Sequence, residues 1–188
     1  MSFSVVYDAC VLYPAPLRDL LMRLALTGSF RARWTRHIHD EWMRAVLARR
    51  PDLKAETLQR TRELMDTAVP DCLVTGYERL QQSLTLKDPD DRHVLAAAIK
   101  CHASVIVTFN LKDFPTDALK PYDIEAQHPD EFIHHLLDLH QANVCGAVKD
   151  QREALKKPPR TATEVLATLL EQGLTSTVAT LRPMLALL

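Results

Sequence analysis

Two apolar, β-branched runs, Val5-Val6-Tyr7 and Ser104-Val105-Ile106-Val107-Thr108-Phe109, constrain the fold most, because each stops at a residue carrying a side-chain oxygen, Asp8 and Asn110. Near-continuous apolar runs of this length read as strands covered on both faces, the mark of a parallel sheet and not of a half-solvated antiparallel one. Parallel strands need crossover connections, and most of the intervening sequence has helical spacing. Leu17, Leu20, Leu21, Leu24 and Ala25 recur on one face until Gly28. Thr35 is placed to cap a helix carrying Ile38, Trp42, Ala45 and Ala48 before Pro51, and a charged helix runs from about Leu53 to Ala68. Cys72-Leu73-Val74 predicts a short strand and Tyr77 to Ser83 a helix. Asp88-Pro89-Asp90-Asp91 opens a helix reaching His102, with an Asp cap, Pro at the first position and acids in the first turn. Tyr122-Asp123-Ile124 is a weaker extended stretch.

Beyond about His128 only helices are expected. Pro129-Asp130-Glu131 begins one, a basic linker Lys156-Lys157-Pro158-Pro159-Arg160 follows, and two last helices divide at Gly173. No internal repeat is visible. The predicted fold class is α/β, with an all-helical C-terminal extension.

Composition narrows the function classes. The 188 residues are 47% apolar and 25% charged, enough to bury a core, and 4 Gly with 11 Pro exclude collagen-like and low-complexity chains. No stretch approaches the roughly 18 apolar residues of a membrane span. Met1-Ser2-Phe3-Ser4 lacks the basic and apolar regions of a signal peptide, so a cytoplasmic address and no membrane partner are expected. Cys10, Cys72, Cys101 and Cys145 form no C-x-x-C pair, which predicts reduced thiols. Net charge is -1, so any polyanion partner must be held by a local patch.

The acids carry the chemistry. Asp8 ends the first strand, and ligands of open parallel sheets bind at the carboxyl ends of strands, although an Asp there is also a common turn residue. At about 3.6 residues per turn, Val94, Leu95, Ala98 and Ile99 bracket Asp91, so this carboxylate lies over the buried face of its helix, where it needs a partner. The alternative is a capping-box acid answering Asp88. Glu41 borders the apolar stripe of its helix, and Asp90 turns away from Asp91. Asn110 and Asp113 follow the second strand, and the Thr108 hydroxyl is placed to orient a carboxylate. Carboxylates gathered at one sheet edge repel one another unless some protonate or a cation joins them. All-oxygen donors favour Mg²⁺ or Mn²⁺ over zinc, and this many acids suits a site that also binds phosphate, with one ion or two.

Five segments together resemble the PIN-domain ribonucleases, specifically the VapC-type toxins of prokaryotic toxin–antitoxin pairs. They are Val6-Tyr7-Asp8-Ala9-Cys10-Val11-Leu12, Pro16-Leu17-Arg18-Asp19-Leu20-Leu21, His39-Asp40-Glu41-Trp42, Asp88 to Ala98, and Val107-Thr108-Phe109-Asn110-Leu111-Lys112-Asp113-Phe114. They occur in the family's order and cover about two thirds of the chain. The resemblance implies a three-layer α/β/α PIN-like nuclease domain over 1–128 and a helical extension over 129–188, as in a longer toxin subgroup. It implies a metal-dependent endoribonuclease with Asp8 and Asp91 as principal metal ligands and Glu41 between them. The family's fourth acid falls at Asn110, which makes a second ion doubtful, and Asp113 is the substitute. Glu41 or Asp113 would then position or deprotonate the attacking water, with Thr108 behind them. A homodimer and a small neutralising antitoxin that covers the acidic site are likewise implied.

RNA must also be held. Residues 31–50 contain six arginines against Asp40 and Glu41, and Arg33, Arg36 and Arg44 are candidate phosphate contacts, with Trp34 a candidate base-stacking ring. None of the eight histidines pairs with another at i, i+4, so they read as surface or packing residues. Three competing readings remain. A haloacid-dehalogenase-like phosphatase would need an acid where Cys10 stands. Asn110 leaves open a catalytically impaired PIN scaffold that binds RNA or protein. A helix-turn-helix over Thr161–Gln172 and Thr175–Leu187 would have only Arg182 for phosphate in its last helix.

Overall fold

The computed structural model describes residues 3–188. In chain order the elements are β1 (Ser4–Tyr7), α1 (Ala9–Leu12), α2 (Ala15–Leu26), β2 (Arg31–Arg33), α3 (Arg36–Arg49), α4 (Ala55–Ala68), α5 (Glu78–Gln81), α6 (Arg92–Lys100), β3 (Ala103–Val107), α7 (Thr116–Leu119), β4 (Glu125–Gln127), α8 (Pro129–Leu139), α9 (Gln141–Ala154), α10 (Ala162–Glu171) and α11 (Thr175–Leu181). They form two compact units: residues 3–13 with 30–128, and residues 14–29 with 129–188.

The first unit is built on a four-stranded sheet of order β2-β1-β3-β4, parallel throughout. The α/β class with a central parallel sheet is therefore as the sequence predicts. All four residues of β1 are buried, as a strand covered on both faces requires. Tyr7 pairs with Val107, so β1 and β3 end side by side. The apolar face of α6 packs against both of these strands.

Helix α3 starts where expected, with Thr35 Oγ1 accepting from the Ile38 N–H at 3.0 Å. A buried polar chain ties it to α4. The Trp42 indole N–H donates to His39 Nδ1 at 2.9 Å, and His39 Nε2 meets Asp66 Oδ1 at 2.9 Å. The Trp34 indole N–H donates to the same Asp66 oxygen at 2.8 Å. Burial holds His39 below its ordinary pKa against the pull of Asp66, so a neutral ring with its proton on Nε2 satisfies both neighbours.

Several elements differ from the sequence expectation. β2 is a three-residue edge strand flanked by arginines, with only Ala32 buried, which hides its period. Cys72-Leu73-Val74 makes one bridge, Leu73 to Trp34, and no longer strand. The helix expected over Tyr77 to Ser83 is only the four-residue α5. The strand expected at Tyr122-Asp123-Ile124 begins at Glu125, because Tyr122 closes a 3-10 turn and Asp123 takes a left-handed φ of 54°. The Asp88 carboxylate accepts from the Asp90 N–H at 2.9 Å, and Pro89–Asp91 form a 3-10 turn before α6. Helix α9 has no side-chain N-cap and carries Gly146, so neither of its usual signals is present in the sequence.

The second unit contains helices alone. It takes in α2 as well as the residues after 128, so the extension is more than the C-terminal segment. Gln151 Nε2 on α9 donates to the Pro16 carbonyl at 2.8 Å. Thr161 and Glu164 form a capping box at the start of α10. Val165, Leu166, Leu169, Val178 and Leu181 of α10 and α11 are buried, and α11 ends at Leu181, which is packing and not a groove-reading pair. Among the described residues no helix is long and apolar enough to cross a membrane.

The buried Asp130 carboxylate caps α11 from α8, accepting from the Ser176 and Thr177 N–H groups at 2.8 Å each. Burial pushes this carboxyl up, but the two backbone donors outweigh it, and its pKa lies below the usual value. A depressed carboxyl stabilises the fold above its unfolded-state pKa and stops doing so as pH falls through the folded value. Asp130→Ala should cost about 1–3 kcal/mol at neutral pH. In urea titrations the gap from wild type should shrink as pH drops below the ordinary Asp value of about 3.9; a gap independent of pH would refute the capping role.

Candidate functional site

The parallel register delivers the first two side chains. The Asp8 N–H donates to the Val107 carbonyl at 3.1 Å, and the Thr108 N–H to the Gln127 carbonyl at 3.0 Å, so the residues just past β1 and β3 stand together at the carboxyl rim. Asp8 is 5% exposed. Its Oδ1 accepts from the Ala9 N–H at 2.7 Å, capping α1, and its Oδ2 accepts from the Thr108 hydroxyl at 2.7 Å and the Cys10 thiol at 3.1 Å. The Cys10 thiol is pushed up to about 12, by burial first and then by the Asp8 charge, which keeps it protonated and donating. The Thr108 hydroxyl in turn accepts from the Asn110 N–H at 3.0 Å. The Asn110 side chain is exposed, so this residue enters the site through its backbone.

Asp91 closes the 3-10 turn ahead of α6, the helix that packs on β1 and β3. It is half-buried, and its pKa is raised to about 6, by burial first and then by the charges of Asp8, Asp88 and Asp113. Asp113, also half-buried, lies in the 3-10 turn after β3, with its N–H donating to the Asn110 carbonyl at 3.0 Å. The structure therefore brings Asp8, Asp88 and Asp113 within electrostatic reach of Asp91. Asp90 is exposed, as expected. Asp91 makes no capping-box bond, so the capping alternative explains Asp88 but not Asp91.

Glu41 has a different set of contacts. Its Oε1 lies 3.1 Å from His93 Nε2 and 3.7 Å from His37 Nε2. The two imidazoles stack with centroids 3.9 Å apart. His93 connects the two groups, since its ring meets Glu41 while its charge acts on Asp91. Its ring is 2% exposed, and its Nδ1 is buried with no hydrogen-bond partner among the described residues. His37 is held below its ordinary pKa by burial first and by His93 second. The sequence reading missed His37 and His93 by looking only for paired histidines; the signal was the i, i+4 spacing of His37 and Glu41. Cys10 and Asp88 were also missed as members of the site.

The expected RNA contacts need one correction. Trp34 is fully buried, stacked on Tyr7 and bonded through its indole to Asp66, so it is a core residue and offers no face to a base. Arg33 is half-buried, and its charge acts on the thiols of Cys72 and Cys101. Arg33 closes β2 opposite Val6, and its Nε is buried with no hydrogen-bond partner among the described residues. Arg36 and Arg44 on α3 are exposed.

A rim at which burial and the charges of neighbouring carboxylates raise the pKa of Asp91 fits a hard divalent cation, which would replace the proton on Asp91 as the neutralising charge. Asp8, Asp91 and Asp113 are the residues that would hold it.

Comparison with known proteins places this geometry. Residues 129–183 match the VapC50 C-terminal domain. A Mycobacterium tuberculosis (strain ATCC 25618 / H37Rv) protein named putative ribonuclease VapC50 is 44% identical over 110 residues, which is 56% of this chain and 64% of that protein. The chain thus matches under two thirds of that relative's length. No solved structure matches. The PIN domain model matches residues 4–112, more than half of the chain and the span holding Asp8, Glu41, Asp91 and Asn110, so the chain belongs to the PIN domain family.

Proposed function

We propose that this chain is a Mg²⁺- or Mn²⁺-dependent endoribonuclease and the toxin of a toxin–antitoxin pair. The observation that carries the reading is the raised pKa of Asp91 at the rim of a PIN sheet, pushed up by burial first and then by the charges of Asp8, Asp88 and Asp113, which a divalent cation would relieve. The ribonuclease name of the 44% identical relative and its matching C-terminal domain support it.

Asp8, Asp91 and Asp113 hold the cation, with Glu41 at the edge of the group. When bound, the ion supplies neutralisation of the scissile phosphate and a water of lowered pKa. Thr108, Cys10 and the Ala9 N–H fix the Asp8 carboxylate in one orientation, so the site is arranged before substrate arrives. Asp113 or Glu41 takes the proton of the attacking water. Arg36 and Arg44 contact the RNA backbone and set affinity, not sequence. A homodimer, and a small antitoxin encoded next to the chain that covers the rim, complete the proposal; co-purification with the neighbouring gene product tests the latter.

Cleavage of RNA with Mg²⁺ or Mn²⁺ should fall by on the order of 100-fold or more in Asp8→Asn and Asp91→Asn, and by about 10–100-fold in Thr108→Val. Equal cutting by wild type and the two Asp variants would sink the nuclease reading. RNA binding without cleavage in wild type would identify the impaired scaffold that Asn110 keeps in view. Because Asp91 must lose its proton to take a cation, Mg²⁺ affinity measured by calorimetry should weaken as pH falls through about 6. Replacing Arg36 and Arg44 together with Ala should lower RNA affinity and reduce the slope of log K against log salt by about 2. An unchanged slope would take α3 out of the RNA surface.

A further inference from the structure

His37, Glu41 and His93 form a cluster that the acidic rim does not require. Three potential ligand atoms, Nε2 of each histidine and a Glu41 oxygen, all lie within 4.8 Å of one another. His37 and Glu41 sit one turn apart on α3, so the helix itself sets their spacing. His93 is brought to them by the first turn of α6. Both Nε2 atoms approach the same carboxylate oxygen, at 3.1 and 3.7 Å. The edge of a tetrahedron with metal–ligand bonds of about 2.0–2.1 Å is roughly 3.3 Å, which these two distances bracket. The two ring planes lie 23° apart in the stack. For one ion to replace the direct hydrogen bond, the two rings must tilt until their Nε2 lone pairs converge, an adjustment open to the exposed His37 side chain.

The geometry points to a second cation site, held by His37, Glu41 and His93 and selective for Zn²⁺ and similar borderline ions. Two imidazoles and one carboxylate suit zinc, with a fourth position left to water, whereas Mg²⁺ prefers oxygen alone. The site is chemically separate from the carboxylates of Asp8, Asp91 and Asp113, with Glu41 as its link to them. An ion here withdraws Glu41 from the acidic rim, so zinc acts as an inhibitor of the cation-dependent activity. That inhibitory consequence rests on the function proposed above; the site itself does not.

The test uses the full chain stripped of metal with a chelator, with Co²⁺ as the visible probe and Zn²⁺ as competitor. Wild type should bind one Co²⁺ at this site with a visible absorption band, displaced by one equivalent of Zn²⁺ and not by millimolar Mg²⁺. His37→Ala, at an exposed position and checked for wild-type circular dichroism, should weaken Co²⁺ binding by about 10–100-fold. Asp8→Asn should leave the band intact. A band equal in wild type and His37→Ala, a band lost in Asp8→Asn, or no band at all each overturns the site. In the nuclease assay, Zn²⁺ at the stoichiometry set by the titration should inhibit wild type and spare His37→Ala; equal inhibition overturns the regulatory role. A chain that cuts no RNA but passes the Co²⁺ titration would refute the nuclease reading and leave the zinc site standing.

Discussion

One interaction organises the first unit: the pairing of β1 with β3, which ends with Tyr7 opposite Val107 and sets Asp8 beside Thr108. A buried carboxylate is costly unless its oxygens are bonded. Here the Thr108 hydroxyl, the Cys10 thiol and the Ala9 N–H all serve that single group. The Asn110 N–H then holds the Thr108 oxygen, so the loop after β3 is tied to the carboxylate at the end of β1. With Asp8 fixed, Asp91 and Asp113 come close enough for their charges to oppose each other. The site's electrostatics thus follow from strand register, and that register follows from two apolar runs that have nowhere else to be buried.

Those runs made the sheet and its terminal acids legible in the sequence. Asp8 and Asp91 could be picked out because each sits where an apolar pattern expects no charge. Glu41 was legible only as a boundary residue. What could not be read was its company: His37 lies on its own helix, but His93 is distant in sequence, and the stack of the two rings exists only once α3 and α6 are packed. Local pattern carries no information on which turns of two separate helices will meet.

The misreadings share a cause. Trp34 next to arginines looks like a stacking platform, yet it follows a strand whose alternation sends it inward onto Tyr7. Arg33, the residue before it, is half-buried with its Nε enclosed, which a run of charged letters does not announce. Short edge strands hide in charged sequence because a single buried residue suffices to hold them. Helix α9 escaped notice for the converse reason: it relies on packing alone, with neither a cap nor a clean stripe to announce it.

The second unit is assembled from two pieces of chain separated by the whole sheet, since α2 packs with α9 and α10 while lying near the N-terminus. Cutting the chain after residue 128 would therefore leave Leu17, Leu20, Leu21 and Leu24 without the helices that belong to the same unit. A shortened protein that loses its activity would report on stranded apolar surface rather than on any role of the tail, and dissecting the two units calls for point changes within an intact polypeptide.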